Sequence, residues 1–264
     1  MAAGLGNVEA ASFVNPKLVP AMAGAEEVMA AIKRRPGSVY SGLVLNERGY
    51  DRALAAGVDE IHYGFPCTDT FAQRNQNSTT EAGLELAHSL VRRARQDGVP
   101  VTVTLIVAFG CPFEGRVMAA KVLALAERVL EEPPDLLTVA DTIGVGVPSQ
   151  ATELVSGLVR LGARAGAHFH NTRNTGYANA VAAVEAGAEV LDASVGGAGG
   201  CPFAPRATGN IATEDLVYLL EGLGLTTGIE LDRLIDTSRW LGELLGKELP
   251  GMVARAGGFV PIAG

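Results

Sequence analysis

Two histidines at alternate positions are the strongest chemical signal in the sequence. His168 and His170 flank Phe169 at the end of an apolar run. Alternate side chains of a β-strand point to the same face, so the two imidazoles are able to share one metal ion. A catalytic metal needs at least one further protein ligand and an open position. Hydrogen-bonded polar residues at the rim of a sheet are the equally weighted alternative.

A glycine-rich stretch, residues 196–203, follows the next apolar run and contains Cys201. Glycines at this density form a loop that is able to close over a site, and a thiol on it can act as a general acid or base. A flexible turn with an incidental cysteine is the more frequent alternative. Asn210 lies just ahead of a predicted helix, where asparagine is normally a cap, although its amide oxygen is also a suitable ligand for a hard metal.

Other polar side chains follow apolar runs. Asp141 ends one of them, where an acidic residue is usually a turn former or a cap. Arg173 adds a cation close to the histidine pair and is a candidate for binding an acidic substrate, with a solvated helix start as the alternative. His62 and Cys67 are interpreted as local packing residues, and His88 as a histidine within a helix.

Composition excludes several classes of protein. The chain has 264 residues, of which 48% are hydrophobic and 19% charged, and this balance is typical of one globular domain. Its net charge of -8 disfavours a dedicated nucleic-acid-binding protein. Three widely spaced cysteines without a CxxC pair disfavour a disulfide scaffold and indicate a reducing cytoplasm. No apolar run reaches the ~18 residues of a membrane span, and no targeting signal is evident.

Short apolar runs alternate with amphipathic stretches along the chain. Strands are predicted over residues 8–13, 39–45, 60–63, 101–107, 136–140, 165–170 and 190–194. Helices are predicted over residues 25–33, 47–56, 79–96, 117–130, 149–161 and 177–186, and the chain from residue 213 onward is predicted to be helical.

Repeated strand–helix units predict a parallel α/β fold with right-handed crossovers. A doubly wound sheet and a TIM (β/α)₈-type barrel both fit this pattern. No G-x-G-x-x-G motif follows a first strand, which favours the barrel. Only seven strands are predicted, so the first barrel strand is expected to be absent from the chain. We expect one TIM-barrel-like domain over residues 1–264, with a C-terminal helical extension at about 213–250.

Six stretches together resemble the hydroxymethylglutaryl-CoA lyase family, a branch of the metal-dependent lyases and Claisen condensing enzymes built on a TIM barrel. They cover nearly the whole chain, and the Gly-Gly-Cys-Pro loop is specific to the lyase branch. The matching stretches are residues 9–17, 110–115, 141–146, 168–170, 196–203 and 208–216.

The resemblance implies roles for particular residues. His168, His170 and Asn210 correspond to ligands of a divalent cation, Mg²⁺ or Mn²⁺. Cys201 corresponds to the catalytic cysteine of the loop. Glu9 and Asp141 are similar to acidic residues close to the reacting centre and are counted here as catalytic.

The resemblance also implies a reaction and a substrate class. It is the metal-assisted retro-Claisen cleavage of a 3-hydroxy-3-methylglutaryl-CoA-like thioester to acetyl-CoA and a keto acid. The metal lowers the pKa of the substrate hydroxyl, and the Cys201 thiol, or a water that it orders, protonates the enolate that leaves. The same resemblance implies an acyl-CoA partner. Exposed edges of an incomplete barrel, or the family-like helical C-terminus, favour a homodimer.

Two departures leave alternatives open. Family members carry an Arg-Asp-Gly motif on the first barrel strand, and this sequence has none, so either an upstream start or an inactive truncated barrel is expected. Asn171 stands where lyases usually have aspartate, which is partly similar to the condensing acyltransferases of the superfamily. Asn171 and Arg173 are the candidate substrate-binding residues.

Overall fold

The computed structural model describes residues 3–199 and 209–259. The strands of these two ranges are β1 (Asn7–Ser12), β2 (Val39–Val44), β3 (Glu60–Pro66), β4 (Val101–Ile106), β5 (Gly110–Cys111), β6 (Gly115–Arg116), β7 (Leu136–Asp141), β8 (Ala165–Phe169) and β9 (Val190–Asp192). Seven of the described strands form one parallel sheet in the order β1-β2-β3-β4-β7-β8-β9, and β5 pairs with β6 in a separate hairpin.

Helices cover the outside of this sheet. They are α1 (Ala25–Ala31), α2 (Glu47–Ala55), α3 (Asp69–Gln76), α4 (Thr80–Asp97), α5 (Ala119–Val129), α6 (Pro148–Arg160), α7 (Gly176–Glu185), α8 (Thr213–Gly222), α9 (Leu231–Leu245) and α10 (Val253–Ala256). Two short 3₁₀ turns span Pro20–Met22 and Val195–Gly197.

The strand order decides between the two predicted architectures. A doubly wound sheet reverses its order at a switch point, whereas a barrel adds its strands in sequence. Here the order never reverses. The sheet also curls, as a contact between its first and third strands shows: Nδ2 of Asn7 on β1 donates to Oε2 of Glu60 on β3, across the intervening β2, at 2.7 Å. The fold is therefore of the TIM-barrel type, as predicted, and its sheet in the described ranges is a half-barrel of seven strands.

The two faces of the sheet differ in polarity. On the outer face, Ile61, Tyr63 and Phe65 of β3 are fully buried against the helices. Gly83 of α4 lies so close to the Phe65 ring that a Cβ at this position would be 2.8 Å from it. The opposite side, here called the concave polar face, is formed by Asn7, Glu9, Ser41, Glu60, His62, Thr102, His168, His170 and Asp192.

Helix ends follow local signals that the sequence displays. The side chain of Asn46 accepts a hydrogen bond from Gly49 N at the start of α2, and that of Thr79 accepts one from Ala82 N at the start of α4. Gly98 ends α4 with a φ of +69°, a left-handed conformation that glycine adopts without strain. The predicted bounds of the strands and of these helices consequently agree with the structure to within a few residues.

Two features of the fold were not predicted. In helix α3, Phe71 and Ala72 are the buried residues, so its sequence lacks the recurring apolar positions that identify a helix. The strands of the β5–β6 hairpin have two residues each, which is too short for any periodicity.

The helical character of the chain beyond residue 213 is confirmed by α8, α9 and α10. Ala3, Val217 and Leu234 form a small apolar cluster, so the segment that precedes β1 packs on α8 and α9. None of the helices in the described ranges is long and apolar enough to cross a membrane. The single-domain division, the cytoplasmic location and the homodimer stay predictions.

Candidate active site

The structure brings the three predicted metal ligands together. His168 is on β8, and His170 follows the end of that strand. The two imidazole rings lie with their centroids 5.1 Å apart and their planes at 65°. His170 also forms an antiparallel β-bridge with Asn210, which returns to the sheet just ahead of α8. The site therefore forms at the carboxyl end of β8, where parallel barrels carry their active sites.

Two side-chain atoms of this group fit a bound metal ion. Nδ1 of His170 and Oδ1 of Asn210 are buried and have no hydrogen-bond partner among the described residues. An unsatisfied buried polar atom costs about 1–3 kcal/mol, and a ligand that accepts its lone pair removes this cost. Nδ2 of Asn210 donates to the carbonyl of Ala198 at 3.0 Å, and this bond fixes the amide so that Oδ1 is the free atom. The predicted alternative of a helix cap is not realised, because Ala212 is the N-cap of α8.

His168 is oriented by a carboxylate that sequence reasoning missed. Nδ1 of His168 is hydrogen-bonded to Oδ1 of Asp192, which lies opposite it on β9. A carboxylate on one imidazole nitrogen selects the tautomer with its proton there and leaves the lone pair of Nε2 free for a metal. The position of Asp192 at the end of the strand after the histidine pair was the only sequence signal for this role.

Charge and burial shift the pKa values of the two histidines in opposite directions. Burial lowers the pKa of His170 to about 4, and the charge of His168 contributes in the same direction. Burial also opposes the charge of His168, but Asp192 outweighs it and raises the pKa of His168. His170 is thus neutral at physiological pH, which is the form of imidazole that binds metals.

The chain on either side of residues 200–208 lies beside this group. On one side Ala198 accepts the bond from Asn210, and on the other Asn171 N donates to the carbonyl of Gly209 at 3.0 Å. Gly196 N donates to Oε2 of the buried Glu214 at 2.9 Å, which fixes the start of the loop to α8. Cys201, the predicted catalytic thiol, lies outside the described residues.

Asp141 anchors the loop that follows β7. It is fully buried, and its two oxygens accept hydrogen bonds from Val145 N at 2.9 Å and Gly146 N at 2.8 Å. Burial raises the pKa of Asp141, and these two bonds partly oppose the increase. The structure thus gives Asp141 a role in shaping the loop, and its predicted part in catalysis stays a prediction.

The two predicted substrate-binding residues also connect loops. Nη1 of Arg173 donates to the carbonyls of Ile143 and Gly144, at 3.1 and 2.9 Å. Oδ1 of Asn171 accepts a hydrogen bond from Gly176 N at 3.2 Å, at the start of α7. A guanidinium has five N–H donors, so Arg173 keeps donors for a ligand while it holds the loop after β7.

The interpretation of His62 as a packing residue is wrong. Its Nδ1 lies 2.8 Å from Oε2 of Glu9, and its Nε2 lies 3.2 Å from Oε1 of Glu60. Burial lowers the pKa of His62, but the two carboxylates outweigh this effect and raise it to about 10. The alternation of Glu60 and His62 on one strand was the available signal, and it was missed because Glu9 is distant in sequence. Cys67, by contrast, is buried in the core as predicted.

Histidine, cysteine, aspartate and glutamate alone do not make a metal site here. In residues 3–199 and 209–259, no group of three or more of these side chains could hold a metal ion. The candidate set consists of two imidazoles and the amide of Asn210. It is a metal site only if the amide oxygen of asparagine serves as the third protein ligand.

Replacing Asp192 with asparagine is expected to weaken metal binding and turnover by about 10–100-fold, the usual cost of losing a partner of a ligating histidine. The asparagine amide no longer selects the His168 tautomer that leaves Nε2 free. Calorimetric titration with Mn²⁺ measures the affinity. Glu189→Gln is the matched control, since Glu189 pairs with Arg164 on the surface. Wild-type affinity in Asp192→Asn would show that His168 needs no such partner.

Comparison with known proteins shows what the chain is similar to. A family model described as HMGL-like matches residues 1–241. The (R)-citramalyl-CoA lyase of Chloroflexus aurantiacus is 41% identical, with 99% of this chain and 86% of the relative covered. The mitochondrial hydroxymethylglutaryl-CoA lyase of Gallus gallus is 38% identical, with coverage of 96% and 86%. An HMG-CoA lyase from A. baumannii, solved in complex with coenzyme A and 3-methylmalate, superposes with a TM-score of 0.92 at 38% identity, with coverage of 99% and 87%.

Proposed function

The chain belongs to the HMGL-like family, and we propose that it is a carbon–carbon lyase acting on a 3-hydroxy-3-methylglutaryl-CoA-like thioester. The products are acetyl-CoA and a keto acid. The observation that carries the proposal is the group of His168, His170 and Asn210, in which two buried ligand atoms are left without partners in the described ranges. The coenzyme A complex of a relative with 38% identity supports the acyl-CoA substrate class.

His168, His170 and Asn210 would hold a divalent cation, Mg²⁺ or Mn²⁺. When bound, such an ion supplies Lewis acidity toward the oxygens of the substrate. Asp192 keeps His168 in the tautomer that this requires. Asn210 also joins the site to the glycine-rich loop through Ala198.

The proton transfers are assigned to residues around this group. Glu9 is the candidate base for the substrate hydroxyl, because its carboxylate is on the concave polar face and partly open to solvent. Cys201 is the candidate acid that protonates the leaving enolate, as the resemblance to the lyase branch implies. Arg173 offers its remaining donors to an acidic group of the substrate. Asp141 supports the reaction by shaping the loop that Arg173 contacts.

Two observations favour cleavage over condensation. The relatives that the chain matches at 36–41% identity are named as lyases. Asn171, whose identity suggested a condensing acyltransferase, has its side chain engaged with Asn174 and Gly176 in the loop before α7.

The experiment that tests the proposal is an assay of acetyl-CoA release. The protein is incubated with 3-hydroxy-3-methylglutaryl-CoA, or with citramalyl-CoA, in millimolar Mg²⁺ or Mn²⁺. We expect metal-dependent release with at least one thioester. Consumption of acetyl-CoA together with a keto acid would favour the condensing acyltransferase. Folded protein that neither turns over substrate nor is stabilised by metal would indicate an inactive barrel.

A further inference from the structure

A chain of charged groups lies on the concave polar face, on strands other than those that carry the metal ligands. It consists of Glu9 on β1 and of Glu60 and His62 on β3. The imidazole of His62 lies between the two carboxylates, at 2.8 Å from Glu9 and 3.2 Å from Glu60. We call these three residues the acidic–imidazole triad. None of them corresponds to a metal ligand of the proposed site.

The geometry requires His62 to be an imidazolium. Each ring nitrogen faces a carboxylate oxygen, and a carboxylate only accepts hydrogen bonds, so both nitrogens must carry a proton. The pKa of about 10 for His62 agrees with this, since the two carboxylates outweigh the opposing effect of burial. The charge of His62 also acts on Asp192 on β9. Desolvation raises the pKa of Asp192, but its interactions with His168, and then with His62, outweigh this effect and lower the pKa.

Glu60 forms the rigid end of the triad. Besides His62, it accepts hydrogen bonds from the Thr102 hydroxyl at 2.6 Å and from Nδ2 of Asn7 at 2.7 Å. Its side chain is 14% exposed, and these donors come from three different strands, β1, β3 and β4. Rotating Glu60 would break three bonds at once, so it fixes His62 in place.

Glu9 forms the open end. Its side chain is 44% exposed, while that of His62 is 21% exposed. Among the described residues, the Glu9 carboxylate accepts its hydrogen bond from His62, through Oε2. One carboxylate oxygen is therefore held in place and the other is available to a substrate.

We propose that His62 is a positioning residue, whose imidazolium, held by Glu60, fixes the Glu9 carboxylate for proton transfer at the substrate. This rests on the proposed function, in which Glu9 acts as the base. A carboxylate on a free side chain samples several rotamers, whereas an ion pair to a fixed cation restricts it to one orientation. A purely structural ion pair would stabilise the fold without acting on turnover through Glu9, and this difference is measurable.

The first test measures the protonation of His62 by NMR and does not depend on catalytic activity. The chain has four histidines, so the imidazole NMR signals of His-labelled protein are assigned by substituting each in turn. We expect His62 to carry two protons at pH 8 in the wild type. Glu9→Gln should lower its titration midpoint by about one pH unit or more, as the loss of an adjacent opposite charge does. A neutral His62 at pH 8, or a midpoint that Glu9→Gln leaves unchanged, overturns the proposal.

The second test is a double-mutant cycle on turnover. His62→Gln is expected to lower kcat about tenfold, a part of the ~10²–10⁴-fold that general acid–base catalysis contributes, with KM changed less than about twofold. In a Glu9→Gln background the same substitution should change kcat by less than about twofold, because the carboxylate that His62 positions is absent. Equal losses in both backgrounds, or no loss in the first, overturn the proposal. His88→Gln on α4 is the matched control.

The two tests separate this proposal from the proposed function. If the wild type releases no acetyl-CoA, the lyase assignment fails, while the NMR result still decides whether His62 is an imidazolium held against Glu9. If His62→Gln does not fold, the titration of His62 in Glu9→Gln still decides, since that substitution is at the solvent-exposed end of the triad.

Discussion

Replacing His170 with alanine is expected to abolish measurable Mn²⁺ binding and to lower kcat for acetyl-CoA release by about 10³-fold. A metal acting as a Lewis acid contributes several kcal/mol, and each ~1.4 kcal/mol of barrier corresponds to a tenfold change in rate. Within the proposed ligand set, His170 supplies one of the two buried atoms that have no partner among the described residues, so its removal takes away one of the proposed ligands. Metal titration by calorimetry and steady-state kinetics measure the two effects.

The control for His170→Ala is His88→Ala. His88 is on the outer helix α4, where Nε2 contacts the carbonyl of Arg128 at 2.9 Å. We expect this variant to keep wild-type metal affinity and kcat. Without added metal, the stability of His170→Ala should not fall, because the alanine no longer buries an unsatisfied nitrogen. With Mn²⁺ present, the variant should lack the stabilisation that metal binding gives the wild type. Wild-type metal affinity in His170→Ala would contradict the assignment of this residue as a ligand.

Replacing Cys201 with alanine is expected to lower kcat by about 10²–10⁴-fold, the usual contribution of a general acid or base. Metal affinity should be unchanged, because His168, His170 and Asn210 are intact. Serine at the same position should also be slow, since a hydroxyl is a far weaker acid than a thiol. Kinetics and Mn²⁺ titration on the same preparations separate the chemical step from metal binding.

Cys67→Ala is the matched control for the thiol. Cys67 is buried in the core, where burial raises its pKa to about 12 and prevents it from exchanging protons with a substrate. We expect a modest loss of stability and a kcat within about twofold of the wild type. Turnover near that of the wild type in Cys201→Ala would show that another group protonates the enolate.

Most of the fold was predictable because its signals are local. The run of β-branched and apolar residues in β4 predicts a buried strand, and Asn46, Thr79 and Gly98 indicate helix ends. The α3 helix escaped prediction because its polar sequence has few buried positions. The curl of the sheet is not a local property, since it relates strands that are distant in sequence, as the contact of Asn7 on β1 with Glu60 on β3 shows.

The histidine pair was predictable for the same reason, because the period of a strand places His168 and His170 on one face without any knowledge of the fold. Asp192 and the partners of His62 were not predictable in this way. Glu9 and His62 are 53 residues apart, and His168 and Asp192 are 24 apart. No spacing rule relates residues on separate strands of a sheet whose curvature is unknown.

By itself the sequence determined the parallel β/α order, the paired imidazoles and the resemblance to a lyase family, because these depend on periodicity and on contiguous motifs. Only the tertiary structure decided which atoms are free to bind and which are already engaged. It left Nδ1 of His170 and Oδ1 of Asn210 without partners in the described ranges, engaged Asp141 and Asn171 in loop contacts, and placed the imidazole of His62 between two carboxylates. The physical reason is that hydrogen-bond saturation and charge compensation depend on distances between strands, which the folded sheet alone establishes.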